Sequence, residues 1–223
     1  MILFSLRRIG TAAGFDWRYP AALLFASPAV RHLCRMPDGT GFRLPLLLLC
    51  AALVLPELLR SSGRRKRLWF FAGCVLIPLP PLLLTPPENA ENVFPDGFRL
   101  LGGSLFAIDW LPEYHSLLAA TAGIVAALVL AGFALTGIFR LFCRREFDTP
   151  RTTLLLSALW IALLLAAAAL RFPVSALMVL PALLLVWIGI ESTGEPGKRI
   201  ARWTAGFLLV TTLLLAIRIH AAA

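Results

Sequence analysis

Asp109, Glu113 and His115 stand within one short stretch, IDWLPEYHS, and bring two carboxyl groups and an imidazole together. Such groups suffice for a metal site or for general acid/base chemistry. Their spacing, Asp-x3-Glu-x-His, fits no ligand pattern tied to one metal, so polar residues resting at a membrane boundary are the simpler reading. His220, near the other end of the chain, can be paired with His115 on a metal or a haem iron. With 3 histidines in the whole chain that pairing is thin, and no metal or cofactor is expected. There is no Walker loop, Rossmann glycine pattern, serine elbow or HExxH motif, which leaves ATP use, NAD chemistry and zinc proteolysis without support. Gly102, Gly103 and Ser104 read as a turn rather than a nucleophile site.

Glu57 is the one charged side chain that falls inside an apolar run away from a segment end. It precedes Arg60 by three residues, so on a helix the two can meet, and structural pairing is preferred to proton handling. No apolar run carries a central Asp, Lys or His. An ion pump or proton-coupled carrier needs such groups at depth.

The elements that must position these groups are six apolar runs, 44–59, 68–84, 117–139, 154–170, 174–190 and 203–219, punctuated by arginine clusters. A span takes about 20 apolar residues at about 1.5 Å each, and about 17 suffice with flanking aromatics or modest thinning of the bilayer. A chain of 223 residues with 59% hydrophobic and 15% charged residues would be insoluble as a globule. The expected class is therefore all-α, a polytopic transmembrane helical bundle of about six spans with an N-terminal interfacial or short extra membrane helix. The net charge of +9 does not indicate nucleic acid, because the 21 basic residues lie between apolar runs instead of on one soluble face. All of them but Lys66 and Lys198 are Arg, a hint of a GC-rich bacterial genome, so a bacterial inner-membrane protein is expected. Cys34, Cys50, Cys74 and Cys143 form no CxxC pair, and no disulfide framework or zinc site follows. The opening MILFSLRR reverses the order of a signal peptide, so no cleavage is expected.

Arg60, Arg64, Arg65, Lys66 and Arg67 crowd one connection, whereas 85–116 holds only Arg99 beside a group of acids. Retention of positive charge then places 60–67 and 140–153 in the cytoplasm and the loop 85–116 outside. Single cysteines at Ser62 and Asn92, in a background lacking the native four, are expected to label oppositely with an impermeant thiol reagent in intact cells. Labelling at 62 and protection at 92 would reverse the orientation.

Residues 1–43 break this charge pattern and are read as a separate segment ahead of the membrane domain 44–223. Either 19–30 makes a short extra crossing, or an interfacial helix sinks Leu23, Leu24, Phe25 and Val30 into the headgroup boundary while arginines snorkel. The interfacial reading is preferred. Within the domain, Ala119, Gly123, Ala127 and Ala131 recur every four residues, as do Ala158, Ala162 and Ala166, and Gly123 and Ala127 are assigned to helix contact. Pro56 and Pro181 sit in similar leucine-rich stretches, a weak internal echo of the kind that marks broken helices in carriers.

The loop 85–116 is too apolar for disorder. Phe98, Leu100, Leu101, Leu105, Phe106 and Ile108 can lie on the membrane as a short helix or reentrant stretch, with Trp110 and Tyr114 as anchors and interaction residues. Three functions remain: a non-catalytic subunit or accessory factor of a membrane or envelope complex, a small carrier with proline-broken helices, and a boundary enzyme using the outer loop. Missing catalytic motifs and missing deep charges favour the first. Its partners would be the lipid bilayer and other membrane protein subunits, with no nucleic acid.

Overall fold

The computed structural model describes residues 1–34, 40–84, 96–103, 117–144 and 149–222, and the regular elements among them are all helical. Among the described residues, five helical stretches are long and apolar enough to cross a bilayer: Gly41–Arg60, Gly63–Leu83, Thr121–Cys143, Pro150–Ala168 and Ser175–Thr193. They match the first five apolar runs. The sixth run lies in α12 (Glu195–Ala222), a continuous helix of 28 residues whose side chains are described through Leu214. The chain is an all-α, multi-pass membrane bundle.

The bundle is built around α11 (Val179–Thr193). Its stretch Ser175–Thr193 is 72% buried against 28% for Gly63–Leu83, so the fifth span is the axis and the second lies at the periphery. Trp187, 1% exposed, fills the centre and meets the ring of Phe15 edge-on at 5.9 Å. The helix α9 (Leu117–Arg144) runs parallel to α11, with Gly137 against Gly189 and the Arg140 guanidinium donating to the Ser192 carbonyl at 3.1 Å. Opposite it packs α10 (Pro150–Ala168), which begins cleanly because Thr149 accepts the Thr152 N–H at 3.3 Å and Pro150 needs no donor in the first turn. Leu44, Leu47, Leu48, Ala51, Leu55 and Leu58 recur at helical spacing along α4 (Thr40–Arg60) and form its buried face.

The second span is irregular. It consists of α5 (Gly63–Leu68), a π-helical turn over Trp69–Gly73, α6 (Cys74–Leu76) and α7 (Leu79–Leu83). Gly73 lets this turn approach α4, since a Cβ there would lie 2.9 Å from Val54 Cγ1. Pro78 then interrupts the ladder, and Pro80 and Pro81 fall in the first turn of α7, where no backbone donor is required.

The proline echo has no structural counterpart. Pro181 is the third residue of α11, just past the junction where the 3-10 turn Ser175–Met178 passes into the α-helix. Pro56 lies four residues before the end of α4, where it deprives the Ala52 carbonyl of its donor. The helices that follow also differ, one broken at the π turn and the other continuous over α12.

The N-terminal residues belong to the same core as the spans. Leu6, Ile9 and Ala13 of α1 (Ile2–Ala13) are buried while Arg7 and Arg8 are exposed, and α1 packs on α4. The helices α2 (Arg18–Ala26) and α3 (Pro28–Leu33) form a rod broken at Ser27, and α2 lies along α12. Leu23, Leu24 and Val30 are at most 2% exposed, so they face protein and not headgroups, and only Phe25, at 45%, points outward. Of the residues expected at the headgroup boundary, Leu23, Leu24 and Val30 are thus covered by helix partners instead.

Candidate functional site at the loop end of the bundle

The short helix α8 (Asp96–Leu101) is the described part of the segment 85–116, and it does not lie on a surface. Leu100 and Leu101 are 4% and 0% exposed. Gly97 sits on the Met178 carbonyl and the Ala182 side chain, near the start of α11. A Cβ on Gly102 would fall 2.6 Å from the Ala127 nitrogen and 2.7 Å from the Gly123 carbonyl. Those residues lie about 9–15 Å along α9 from its first residue, at about 1.5 Å per residue. Gly103, in the left-handed region at φ 69°, lies against Pro28 and Leu208. The short helix therefore crosses between α11 and α9 at the level of the first turns of α11, with its end against α3 and α12. Leu100 and Leu101 are thus covered by protein, while Leu105, Phe106 and Ile108 lie outside the described residues.

Three glycines in eight residues make this insertion possible, because each removes a side chain where another backbone or ring stands. The tip is anchored by Ser27, whose hydroxyl donates to the Leu100 carbonyl at 2.5 Å and accepts the Val30 N–H at 3.3 Å. The break between α2 and α3 thus supplies the partner for a carbonyl at the C-terminal end of α8, which would otherwise be left bare in an apolar interior.

Asp109, Trp110, Glu113, Tyr114 and His115 lie outside the described residues. His220 falls in α12, beyond the side chains described. Gly123 and Ala127 are buried and receive Gly102, whereas their neighbour Ile124 is 42% exposed. Among the described residues no three His, Cys, Asp or Glu side chains converge as metal ligands would.

Arg43 was not singled out by its sequence context. It is 8% exposed, the one charged side chain that is buried among the described residues, and its Nε meets no hydrogen-bond partner there. It sits in the first turn of α4. A buried guanidinium is suited to a planar carboxylate or phosphate. Its signal in the sequence was an arginine two residues before Pro45 at the head of an apolar helix.

The opposite end carries the other polar contacts. The Asp16 N–H donates to Glu191 Oε1 at 2.9 Å, tying the start of α2 to the end of α11. Arg60 and Glu57 approach to 4.0 Å, the pairing their spacing suggests, with both side chains well exposed. Glu195 hydrogen-bonds Lys198 at 3.2 Å and so raises the pKa of its ammonium. The Arg60–Glu57 and Lys198–Glu195 contacts are surface ion pairs of small energetic weight.

No protein family, curated protein or solved structure matches this chain. The functional argument therefore rests on the site itself.

Proposed function

We propose that this protein is a non-catalytic subunit or accessory factor of a membrane complex in the inner membrane of a bacterium, with 85–116 outside and 60–67 and 140–153 in the cytoplasm. The observation that carries the reading is the interior of the axis helix. From Val179 to Ser192 it is enclosed by apolar side chains, its one ionisable residue, Glu191, lies in the last turn, and no acid or histidine is buried among the described residues. A carrier or proton-handling enzyme needs polar or ionisable groups near mid-depth.

A second reading, a small-solute or lipid carrier, draws support from the buried ends of α2 and α8, which meet at Ser27, since helices that end inside a bundle are a transporter device. The two readings separate in one experiment. The tagged full chain is purified in mild detergent, and variants are compared at equal membrane abundance. Trp110→Ala and Tyr114→Ala are expected to reduce a co-purifying partner about tenfold or more, as buried aromatic anchors do, while Asp109→Asn, Glu113→Gln and His115→Gln leave it near wild type. Purification without any stoichiometric partner, with the deletion phenotype fully complemented, would favour the carrier. Loss of function from all three polar variants with both aromatic variants active would replace the proposal with the boundary enzyme.

A further inference from the structure

The sequence RRKR, residues 64–67, forms most of α5, and none of its side chains is buried. The nearest acid in sequence, Glu57, is turned to Arg60, and the described residues offer these four cations no carboxylate. Elsewhere at this end Lys198 is engaged by Glu195 and Arg140 by the Ser192 carbonyl, while Arg199 and Arg202 stand apart and, among the described residues, without an aromatic wall beneath them. A run of free positive charge at the head of a span has its natural complement in phosphate at headgroup depth.

The helix below it provides the matching apolar part. Leu68, Phe71, Val75, Leu79 and Leu83 are between 39% and 76% exposed, and from residue 71 onward they recur every four residues down the least buried of the five spans. The π turn Trp69–Gly73 changes the angular order of side chains just beneath the cations, and it brings both Phe70 and Phe71 onto Trp160 of α10, at centroid distances of 6.2 and 5.6 Å. A rigid aromatic wall therefore closes one side of the ridge about 5–10 Å below the cations, at about 1.5 Å per residue. Single π turns inside α-helices are frequent at functional sites.

We infer that α5 and the aromatic wall formed by Phe70, Phe71 and Trp160 bind an anionic phospholipid, the headgroup phosphate against residues 64–67 and an acyl chain along the ridge from Phe71 to Leu83. Bulk lipid is attracted to any exposed basic segment, whereas a bound lipid requires the cations and the wall together. The inference is independent of the accessory reading, since it concerns lipid and not a protein partner.

The test is native mass spectrometry of the purified full chain, released from micelles doped with equal amounts of phosphatidylglycerol and phosphatidylcholine of identical chains. Wild-type protein is expected to retain phosphatidylglycerol about tenfold over phosphatidylcholine, given four cations at headgroup depth. The variant R64Q/R65Q/K66Q/R67Q should bring that ratio to about one, and R64K/R65K/R67K should keep most of it. Phe71→Ala with Trp160→Ala, which leaves every charge in place, should lower retention of both lipids about threefold by removing the aromatic stacking surface. An equal loss of preference from R199Q/R202Q would mean diffuse attraction and overturn the site. So would a wild-type ratio near one, or recovery of an acidic protein on α5 in place of lipid.

Discussion

Gly189→Leu is expected to lower the thermal midpoint of the detergent-solubilised protein by about 5–10 °C, whereas Gly206→Leu should leave it nearly unchanged. The cause is the parallel crossing of α9 and α11. A Cβ on Gly137 would stand 2.6 Å from the Gly189 Cα, and one on Gly189 would run into the Phe133 carbonyl. Neither obstacle is the free end of a flexible side chain. Accommodation requires the helix axes to separate, and α11 is enclosed on its other sides by α10, α8 and α12. Overpacking of this kind costs about 1–3 kcal/mol or more, and each kcal/mol moves the midpoint by about 2–4 °C in a chain of this size. Gly206 and Gly132 have open space around the position of a Cβ. Alanine at either should be neutral or stabilise by up to about 1 kcal/mol through helix propensity. Equal tolerance at 189 and 206 would mean that the α9 and α11 backbones are not in contact.

The first five apolar runs became helices within a few residues of their expected limits, because length and hydropathy are set by the thickness of hydrocarbon. The partners of each helix were less legible. Leu23 and Leu24 were expected to face the headgroup boundary and instead face protein, and nothing in their own chemistry distinguishes the two, since lipid tails are as apolar as a leucine-lined groove. The alanine and glycine stripe on α9 was read as a packing face, and Gly123 and Ala127 do receive a neighbour. That neighbour is the tip of α8, a stretch whose short apolar sequence equally suits a surface helix. Gly137, which makes the closest approach to α11, lies off the stripe because the helix turns slowly out of a four-residue repeat. The π turn at Trp69–Gly73 was invisible for a different reason: it depends on how the second span meets α4 at Gly73, a tertiary fit and not a local preference. Buried Arg43 was obscured because it had been weighed as a topology signal along with the other arginines of 1–43.

Gly102→Leu should be nearly as damaging as Gly189→Leu, and its coupling to Ser27 should show how α8 is held. Leucine at 102 would be driven into the backbone of α9 between Gly123 and Ala127, so the tip of α8 must withdraw. Ser27→Ala leaves the shape of the site intact and removes the hydroxyl that binds the Leu100 carbonyl, an acceptor 2.5 Å away in an environment without water. A buried acceptor left bare costs about 1–3 kcal/mol. If both changes act on the docking of α8, the second adds little once the first is present, because a withdrawn α8 no longer offers its carbonyl to Ser27. The double variant is therefore expected to fall short of the sum by about 1 kcal/mol or more, well beyond the roughly 0.5 kcal/mol scatter of independent sites. Ser61→Ala, which removes a half-buried hydroxyl bonded within its own helix end to the Leu58 carbonyl, serves as the uncoupled control. Thermal or denaturant midpoints of the four proteins and the control close the cycle. Strict additivity of Gly102→Leu and Ser27→Ala would show that α8 is not anchored at the break between α2 and α3, and would remove the structural support for a carrier along with it.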